Sequence, residues 1–242
     1  MSAVALAKAE GRGGLSSSNF AFELMKTNKL APLVLEFDRQ VANLIQLGYP
    51  ALAGPSVPGF LAQTEALKRR LPELSIHGKP GNLPFVIVVK QELVALESVM
   101  PLLNIRGEAG LVNMVPVSPK DFHPIADLNI PEGNLYLLEN IDSGRDTLSI
   151  RPEDALKMIR QDQRSPLTID EGVSLVIQFP QILTDKQTYN CIQMPGSRRN
   201  DQRIPSLWIS YGKPRLGWCW DRNKHSWLGC ASCSRRWAGV AD

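Results

Sequence analysis

The sequence predicts an α+β fold, in which a mixed β-sheet is joined by an N-terminal helical hairpin and by two helices that precede the C-terminal strands. Apolar residues recur at helical spacing near the N-terminus, which predicts the hairpin. Short β-branched runs bounded by Pro, Gly and Asn occupy the middle of the chain and predict buried strands. Two helix-start signals lie between residues 150 and 172, just before the C-terminal strands.

Length and composition allow one large domain or two small ones, with a normal core. A chain of 242 residues can bury roughly 70% of the surface that it exposes when unfolded. Its 43% hydrophobic and 21% charged residues are typical of soluble proteins. We expect a flexible lead-in over residues 1–35, where Gly and Ser are frequent, and a single domain over residues 36–242.

The protein is expected to be cytoplasmic and to have no membrane partner. The sequence contains no run of about 18 apolar residues, so no membrane-spanning helix is predicted. The N-terminus lacks the basic start and the continuous apolar core of a secretory signal. In a reducing compartment the four cysteines should be thiols unless a metal holds them.

Two N-terminal helices are predicted. The first covers residues 36–47, and Gly48 can end it in a left-handed conformation. Its apolar face is formed by Phe37, Val41, Leu44 and Ile45. Ser56 can cap a second helix that runs to Leu71 and packs against the first.

The middle of the chain predicts three strands and a short helix. The run LPFVIVV, residues 83–89, is β-branched and apolar throughout, as in strands that are buried on both faces. Residues 110–117 and 134–141 predict further strands, the last with alternating faces. A short helix over residues 91–103 is expected to break at Pro101.

Two helices with clear start signals follow. Pro152 lies at the first turn of one helix, followed by Glu153 and Asp154, whose charges suit the exposed amides there. Thr168 and Glu171 form a capping box for a helix that runs from residue 169 to about residue 179. Asp170 and Glu171 point in different directions on that helix, so we interpret them as dipole-compensating charges rather than an acid/base pair.

The C-terminal tail differs from the rest of the chain. Residues 197–242 carry nine Lys/Arg and three Asp/Glu, a net charge of +6 on a protein whose total is +3. All five tryptophans and three of the four cysteines lie between residues 205 and 237. A functional site, if the chain has one, is therefore expected in this tail.

Strands are predicted at residues 187–193, 204–210 and 215–220, the last two joined by a turn over residues 211–214. On the third strand Trp218 and Trp220 share one face with Leu216, whereas Gly217 and Cys219 share the other. The smaller face is expected to leave room for a molecule to approach the thiol.

A loop before these strands has the residue types that bind anions. Ser197, Arg198 and Arg199 follow a glycine, and together they offer backbone amides, a hydroxyl and guanidinium donors to a phosphate or carboxylate. The alternative is a solvated loop whose arginines pair with Asp201 or with the acidic body of the protein.

Cys219 and His225 form the one catalytic pair that the tail suggests. A thiolate is the reactive form of cysteine, and basic neighbours could lower the thiol pKa enough for nucleophilic chemistry. The alternative is a cysteine that packs between tryptophans as a small apolar side chain.

A metal site is a second alternative for the same residues. Cys219, His225, Cys230 and Cys233 offer a Cys₃His set of the kind that binds zinc tetrahedrally. Only the step between the last two cysteines has the usual spacing, so no cofactor is predicted and zinc stays an alternative.

Four segments together resemble an actinobacterial family of unknown function. They are GYPALAG (48–54), RSPLTIDEG (164–172), PGSRRNDQRIPSLWIS (195–210) and LGWCWDRNKHSWLGCASCSRRW (216–237). The likeness covers residues 37–236 and implies one domain with a Gly-Trp-Cys-Trp, Trp-Leu-Gly and Ser-Cys signature at its end. The family pattern has a small residue where Cys230 stands, which argues against a four-ligand zinc site. The resemblance implies a setting in small-molecule metabolism but no particular activity.

Two functions are compatible with these residues. The first is a small-molecule site walled by Trp218, Trp220 and Trp227, with an anionic or conjugated ligand held by Ser197, Arg198, Arg199 and Arg203. The second is an interaction module whose basic, Trp-rich tail binds nucleic acid or a protein partner, with or without zinc. No segment matches a catalytic signature specific enough to name a reaction, and the sequence leaves the oligomeric state open.

Overall fold

A computed structural model describes residues 17–54, 57–75, 79–184 and 191–240, with side chains from residue 30 onward. The α-helices are α1 (Ser17–Gln46), α2 (Tyr49–Ala53), α3 (Val57–Lys68), α4 (Leu96–Val99), α5 (Pro152–Gln161) and α6 (Ile169–Gln178). None of the described helices is long and apolar enough to cross a membrane.

Most strands are short. They are β1 (Leu83–Val89), β2 (Asn104–Ile105), β3 (Glu108–Ala109), β4 (Leu111–Val112), β5 (His123–Pro124), β6 (Leu135–Ile141), β7 (Ser165–Pro166), β8 (Cys191–Gln193), β9 (Ser197–Arg198), β10 (Arg203–Ser210), β11 (Lys213–Trp220), β12 (Leu228–Cys230), β13 (Ser232–Cys233) and β14 (Arg235–Ala238).

Two sheets enclose one central helix. The first sheet is antiparallel and has the order β1-β6-β14, whereas the second is mixed and has the order β12-β8-β10-β11-β4. Helix α6 contacts both sheets, and every residue of it except Asp170 is buried. The α+β prediction is confirmed. Strands from the middle and from the tail do pair, but they form these two sheets and smaller two-stranded ones instead of the single sheet that we expected.

The N-terminal helix begins earlier than the sequence suggested. Helix α1 begins at Ser17, so it extends further toward the N-terminus than the helix predicted over residues 36–47. The physical reason is that the apolar stripe of Phe37 and Val41 continues upstream to the buried Leu33. Gly48 has the expected left-handed conformation, with φ of 81°. Residues 1–16 lie outside the described part of the chain.

Helices α1 and α3 pack against each other, as the hairpin prediction requires. The second helix ends at Lys68, and a 3-10 turn, Leu71–Glu73, takes the place of its last turn. The expected cap, Ser56, lies outside the described residues.

The strands predicted for the middle of the chain are confirmed to different extents. Strand β1 matches its predicted bounds, and β6 is buried on both faces because it is the central strand of its sheet. The predicted strand over residues 110–117 is reduced to Leu111–Val112. Beyond it, the carbonyl of Met114 accepts a hydrogen bond from the indole of Trp218 at 3.1 Å, instead of joining a strand ladder.

Both helices before the tail are confirmed, including the capping box. The amide of Thr168 donates to Glu171 Oε2 at 2.7 Å, and the amide of Glu171 donates to Thr168 Oγ1 at 3.4 Å. The hairpin of β10 and β11 turns on Tyr211 and Gly212 alone, both with positive φ, so the strands are longer than predicted.

Gln40 completes the free edge of β1. Its side-chain amide donates to the carbonyl of Phe85 at 3.1 Å, and its Oε1 accepts from the amide of Ile87 at 2.8 Å. Both bonds are buried, so the side chain serves two backbone groups that have no neighbouring strand.

Replacing Gln40 with alanine is therefore expected to lower the free energy of unfolding by about 2 kcal/mol, because two buried backbone groups lose their partners. Urea unfolding measures this loss. Replacement of Gln46, an exposed glutamine of the same helix, with alanine is the matched control and should change stability by less than about 0.5 kcal/mol. Equal losses in the two variants would refute this role of Gln40.

Candidate functional site

The second sheet divides the predicted site residues between its two faces. Residues that pair directly across strands share a face, and the register places Ser206 opposite both Gln193 and Gly217. Cys230 pairs with Gln193, and Cys219 lies two residues beyond Gly217. We call the face that carries Gln193, Ser206, Cys219 and Cys230 the cysteine face. The opposite face, which carries Arg203, Trp218 and Trp220, is the tryptophan face.

Helix α5 covers part of the cysteine face. Ala155 and Ile159 of this helix form a small apolar cluster with Cys230. At the start of α5, the amide of Glu153 donates to the carbonyl of Asp221 at 3.1 Å. Helix α5 therefore packs on the cysteine face at Cys230 and contacts the chain just after β11 at Asp221.

A buried polar cluster lies in this region. It consists of Gln193, Arg198, Ser206, Cys219, Asp221 and Cys230. Three buried atoms of the cluster, Gln193 Nε2, Arg198 Nη1 and Asp221 Oδ1, have no hydrogen-bond partner among the described residues. Gln193 is only 1% exposed, and its Oε1 accepts from the Cys230 thiol at 3.6 Å.

Arg198 carries a charge that its surroundings compensate poorly. Burial lowers the pKa of its guanidinium, and the nearby carboxylate of Asp221 opposes that effect without outweighing it. Arg160 of α5 adds a like charge. Each unpaired buried polar group in a folded protein requires a physical explanation, and a bound ligand or ion is one of the few available.

The tryptophan face holds a separate arrangement, the arginine–tryptophan stack, of Arg203, Trp218 and Trp220. The guanidinium lies 4.5 Å from the ring centre of Trp218 and 4.9 Å from that of Trp220. Asp201 pairs with Arg203 at 2.5 Å and with Arg199 at 3.3 Å. The pairing of these arginines with Asp201 is the solvated-loop alternative that the sequence left open.

The remaining predicted ligand residues lie elsewhere. The hydroxyl of Ser197 is fully buried and accepts from the amide of Ile169 at 2.9 Å, so it holds the start of α6 in place. Trp227 is 36% exposed and packs against His225 with ring centres 5.2 Å apart. The structure thus joins Arg203 to Trp218 and Trp220, whereas Arg198 lies near Asp221 and Cys230.

The proposed catalytic pair of Cys219 and His225 gains no support from the geometry. Burial raises the pKa of the Cys219 thiol, against the opposing effect of Ser206 and Gln193. No described hydrogen bond joins it to His225, whose own pKa is lowered by burial. The room expected beside the thiol is filled, since a Cβ at Gly217 would collide with the ring of Trp208.

The four residues of the zinc alternative are not gathered at one point. Cys230 belongs to the cluster beneath α5, whereas Cys233 lies in the main core. In the described part of the chain, no three His, Cys, Asp or Glu residues are grouped so that they could hold a metal ion.

The reactivity of Cys219 gives a direct test of the catalytic hypothesis. Because the pKa of its thiol is raised, we expect iodoacetamide to label it at least about tenfold more slowly than free cysteine at pH 7.5. Mass spectrometry of peptides, with Cys219→Ser as the reference for site assignment, measures the rate. Labelling faster than that of free cysteine would restore the nucleophile hypothesis.

The sequence analysis missed a buried ion pair between Arg236 and Glu171. The guanidinium of Arg236 contacts both carboxylate oxygens of Glu171, at 2.5 and 2.9 Å, and the Tyr136 hydroxyl donates to the same carboxylate at 2.8 Å. The side chains are 6% and 0% exposed. The capping box had already explained Glu171, so nothing in the sequence pointed to a second partner.

Asp170, next to Glu171, has a carboxyl group in surroundings that disfavour its charge. Burial, with smaller contributions from Glu92 and Glu171, raises its pKa to about 8. The residue as a whole is half-buried, but its Oδ1 is fully buried and has no described partner. The two carboxyl groups therefore differ in environment, and only Glu171 is held by a cation.

Comparison with known proteins gives a family and no activity. The model of a family of unknown function, DUF5701, matches residues 43–239. No curated protein and no solved structure matches the chain. The match confirms the resemblance to a family of unknown function.

Proposed function

The chain belongs to the DUF5701 family of unknown function, and we propose from its site alone that it binds a small anionic molecule. The ligand binds at the buried polar cluster, between helix α5 and the cysteine face. Arg198 supplies the positive charge, and Gln193 supplies a second donor. The stack of Arg203 on Trp218 and Trp220, which the sequence placed in the same pocket, lies on the other face and does not contact this ligand.

One observation carries the proposal, namely the buried Nη1 of Arg198 that lacks a partner. A guanidinium held away from water without a hydrogen-bonded carboxylate destabilises the fold. A bound anion would compensate such a group. A carboxylate or phosphate fits best, because two of its oxygens can accept from one guanidinium in parallel.

The other unpartnered atoms narrow the chemistry of the ligand. Gln193 Nε2 is a donor and would donate a hydrogen bond to a second oxygen of the anion. Asp221 Oδ1 is an acceptor and requires an N–H or O–H group on the ligand. An anion that also carries a hydroxyl or amino group, such as a hydroxy acid, satisfies all three atoms.

The interaction module receives less support than the small-molecule site. Binding of nucleic acid requires cations that are free to follow phosphates. Asp201 already pairs with Arg199 and Arg203. Trp220 and Trp227 remain 39% and 36% exposed, but the cation that stacks on Trp220, Arg203, is paired with Asp201.

We place this function in the cytoplasm and in actinobacterial small-molecule metabolism. The unpaired state of all four cysteines supports a reducing compartment. The metabolic setting rests on the resemblance of the sequence alone.

Thermal unfolding of the full chain with lactate, mandelate or phosphate tests the proposal, with chloride at matched ionic strength as the reference. A ligand at 100 times its dissociation constant stabilises the native state by about 2.7 kcal/mol, which should raise Tm by roughly 5–10 °C. Lactamide, which lacks the charge, should have no effect. The proposal fails if lactamide stabilises as well as lactate, or if none of the three anions raises Tm.

A further inference from the structure

A cavity lies at the end of helix α6, away from the buried polar cluster. It has a volume of about 260 Å³ and opens to solvent between the start of β1, the end of β6 and the turn that follows α6. None of its lining residues belongs to the buried polar cluster. An inference about it therefore stands independently of the proposed function.

Four of the eight residues that line this cavity are aliphatic, and the other four are Gly81, Ser143, Arg145 and Gln181. Leu83 and Ile141 come from neighbouring strands of the first sheet, Leu175 from α6, and Ile182 from the turn after it. Ile141 and Leu175 are buried, whereas Leu83 and Ile182 are half-buried and form the mouth. The aliphatic part of this lining favours the apolar part of a ligand.

The mouth carries one cation. Arg145 lines the cavity, is exposed, and forms no ion pair with any carboxylate of the described residues. The nearest acidic neighbour in sequence, Asp146, pairs with Lys79 at 3.7 Å. The guanidinium of Arg145 is thus available to a negative group at the cavity mouth.

The volume of the cavity limits the size of the ligand. An apolar cavity of about 150 Å³ accepts a benzene-sized molecule, so 260 Å³ suits a guest of about ten non-hydrogen atoms. We infer that this cavity binds a medium-chain aliphatic carboxylate, with the chain against Leu83, Leu175 and Ile182 and the carboxylate on Arg145. Octanoate has the required size and charge.

Isothermal titration of the full chain with octanoate tests this inference, and 1-octanol and octylamine serve as charge controls. We expect saturable binding of octanoate, at least about fivefold weaker binding of octanol, and none of octylamine, because a charge-assisted hydrogen bond exceeds a neutral one. Absence of saturable octanoate binding below its micellar concentration would overturn the inference, as would equal binding of octylamine.

Two variants assign the binding to the cavity. Arg145→Gln should weaken octanoate about fivefold or more and leave octanol unchanged, whereas Arg106→Gln, at another exposed arginine, should change neither. Ile182→Trp fills the mouth from a half-buried position and should abolish binding of both, while circular dichroism and Tm confirm that the variant is folded. Undiminished octanoate binding by folded Ile182→Trp would place the ligand elsewhere and refute the inference.

Discussion

Replacing Arg236 with alanine is expected to lower the free energy of unfolding by about 3–5 kcal/mol. The substitution leaves the carboxylate of Glu171, which is 0% exposed, without its cation in the middle of the core. Arg236 also donates to Ser165 Oγ at 2.6 Å and to the carbonyl of Pro166 at 2.9 Å, so β7 loses its link to β14. Equilibrium unfolding in urea measures the change.

A double replacement distinguishes the contribution of the ion pair to stability from that of side-chain packing. Arg236→Met together with Glu171→Gln removes both charges and keeps most of the volume, so it should recover more than half of the stability lost in Arg236→Ala. A loss below about 1 kcal/mol in Arg236→Ala would show that water reaches Glu171 and that the pair is not buried as described.

Replacing Arg198 with methionine is expected to weaken binding of the anion found by the Tm screen by about 100- to 1000-fold. A charge-assisted pair that is shielded from water contributes this much when one partner is truncated. The variant removes the guanidinium and keeps an unbranched apolar side chain in place of the aliphatic part of the arginine. Titration calorimetry with lactate, or with whichever of mandelate and phosphate binds, measures the loss.

Arg199→Met is the matched control for that variant. Arg199 is adjacent in sequence, but it pairs with Asp201 and takes no part in the buried polar cluster. We expect its replacement to change the affinity by less than about threefold. Equal losses in the two variants would indicate a diffuse effect of positive charge instead of a site at Arg198.

The sequence predicted best what depends on neighbouring residues. The capping box of Thr168 and Glu171, the proline start of α5 and the left-handed Gly48 all follow from chemistry within one or two turns. The β10–β11 hairpin likewise follows from two alternating runs joined by a tight turn.

The sequence could not predict what depends on register between distant segments. Gln40 serves the edge of a strand 45 residues later, and Arg236 reaches Glu171 across 65 residues. The two-to-four-residue strands β12, β13 and β14 are too short to show an alternating pattern. Without them the tail looked like part of one sheet, although it contributes strands to both.

The same limit explains the candidate site. Arg198, Arg203 and the tryptophans of β11 were expected around one hollow, although the arginines and the tryptophans are distant in sequence. The cross-strand pairing of Arg203 with Trp220 places that arginine on the tryptophan face. Arg198 lies near Cys230 and Asp221 on the cysteine face instead. Arg203 lies in β10 of the second sheet, whereas Arg198 lies in β9, which pairs with β5, so strand pairing divides the predicted pocket in two.

The stability of Arg198→Met without any added anion tests most directly whether this arginine is kept buried for a ligand. If its charge is uncompensated in the free protein, its removal should raise the free energy of unfolding by about 1–2 kcal/mol, measured in urea with chloride as the only small anion. A variant that is less stable than the unsubstituted chain would show that Arg198 stabilises the fold itself, and the anion site would have to be abandoned.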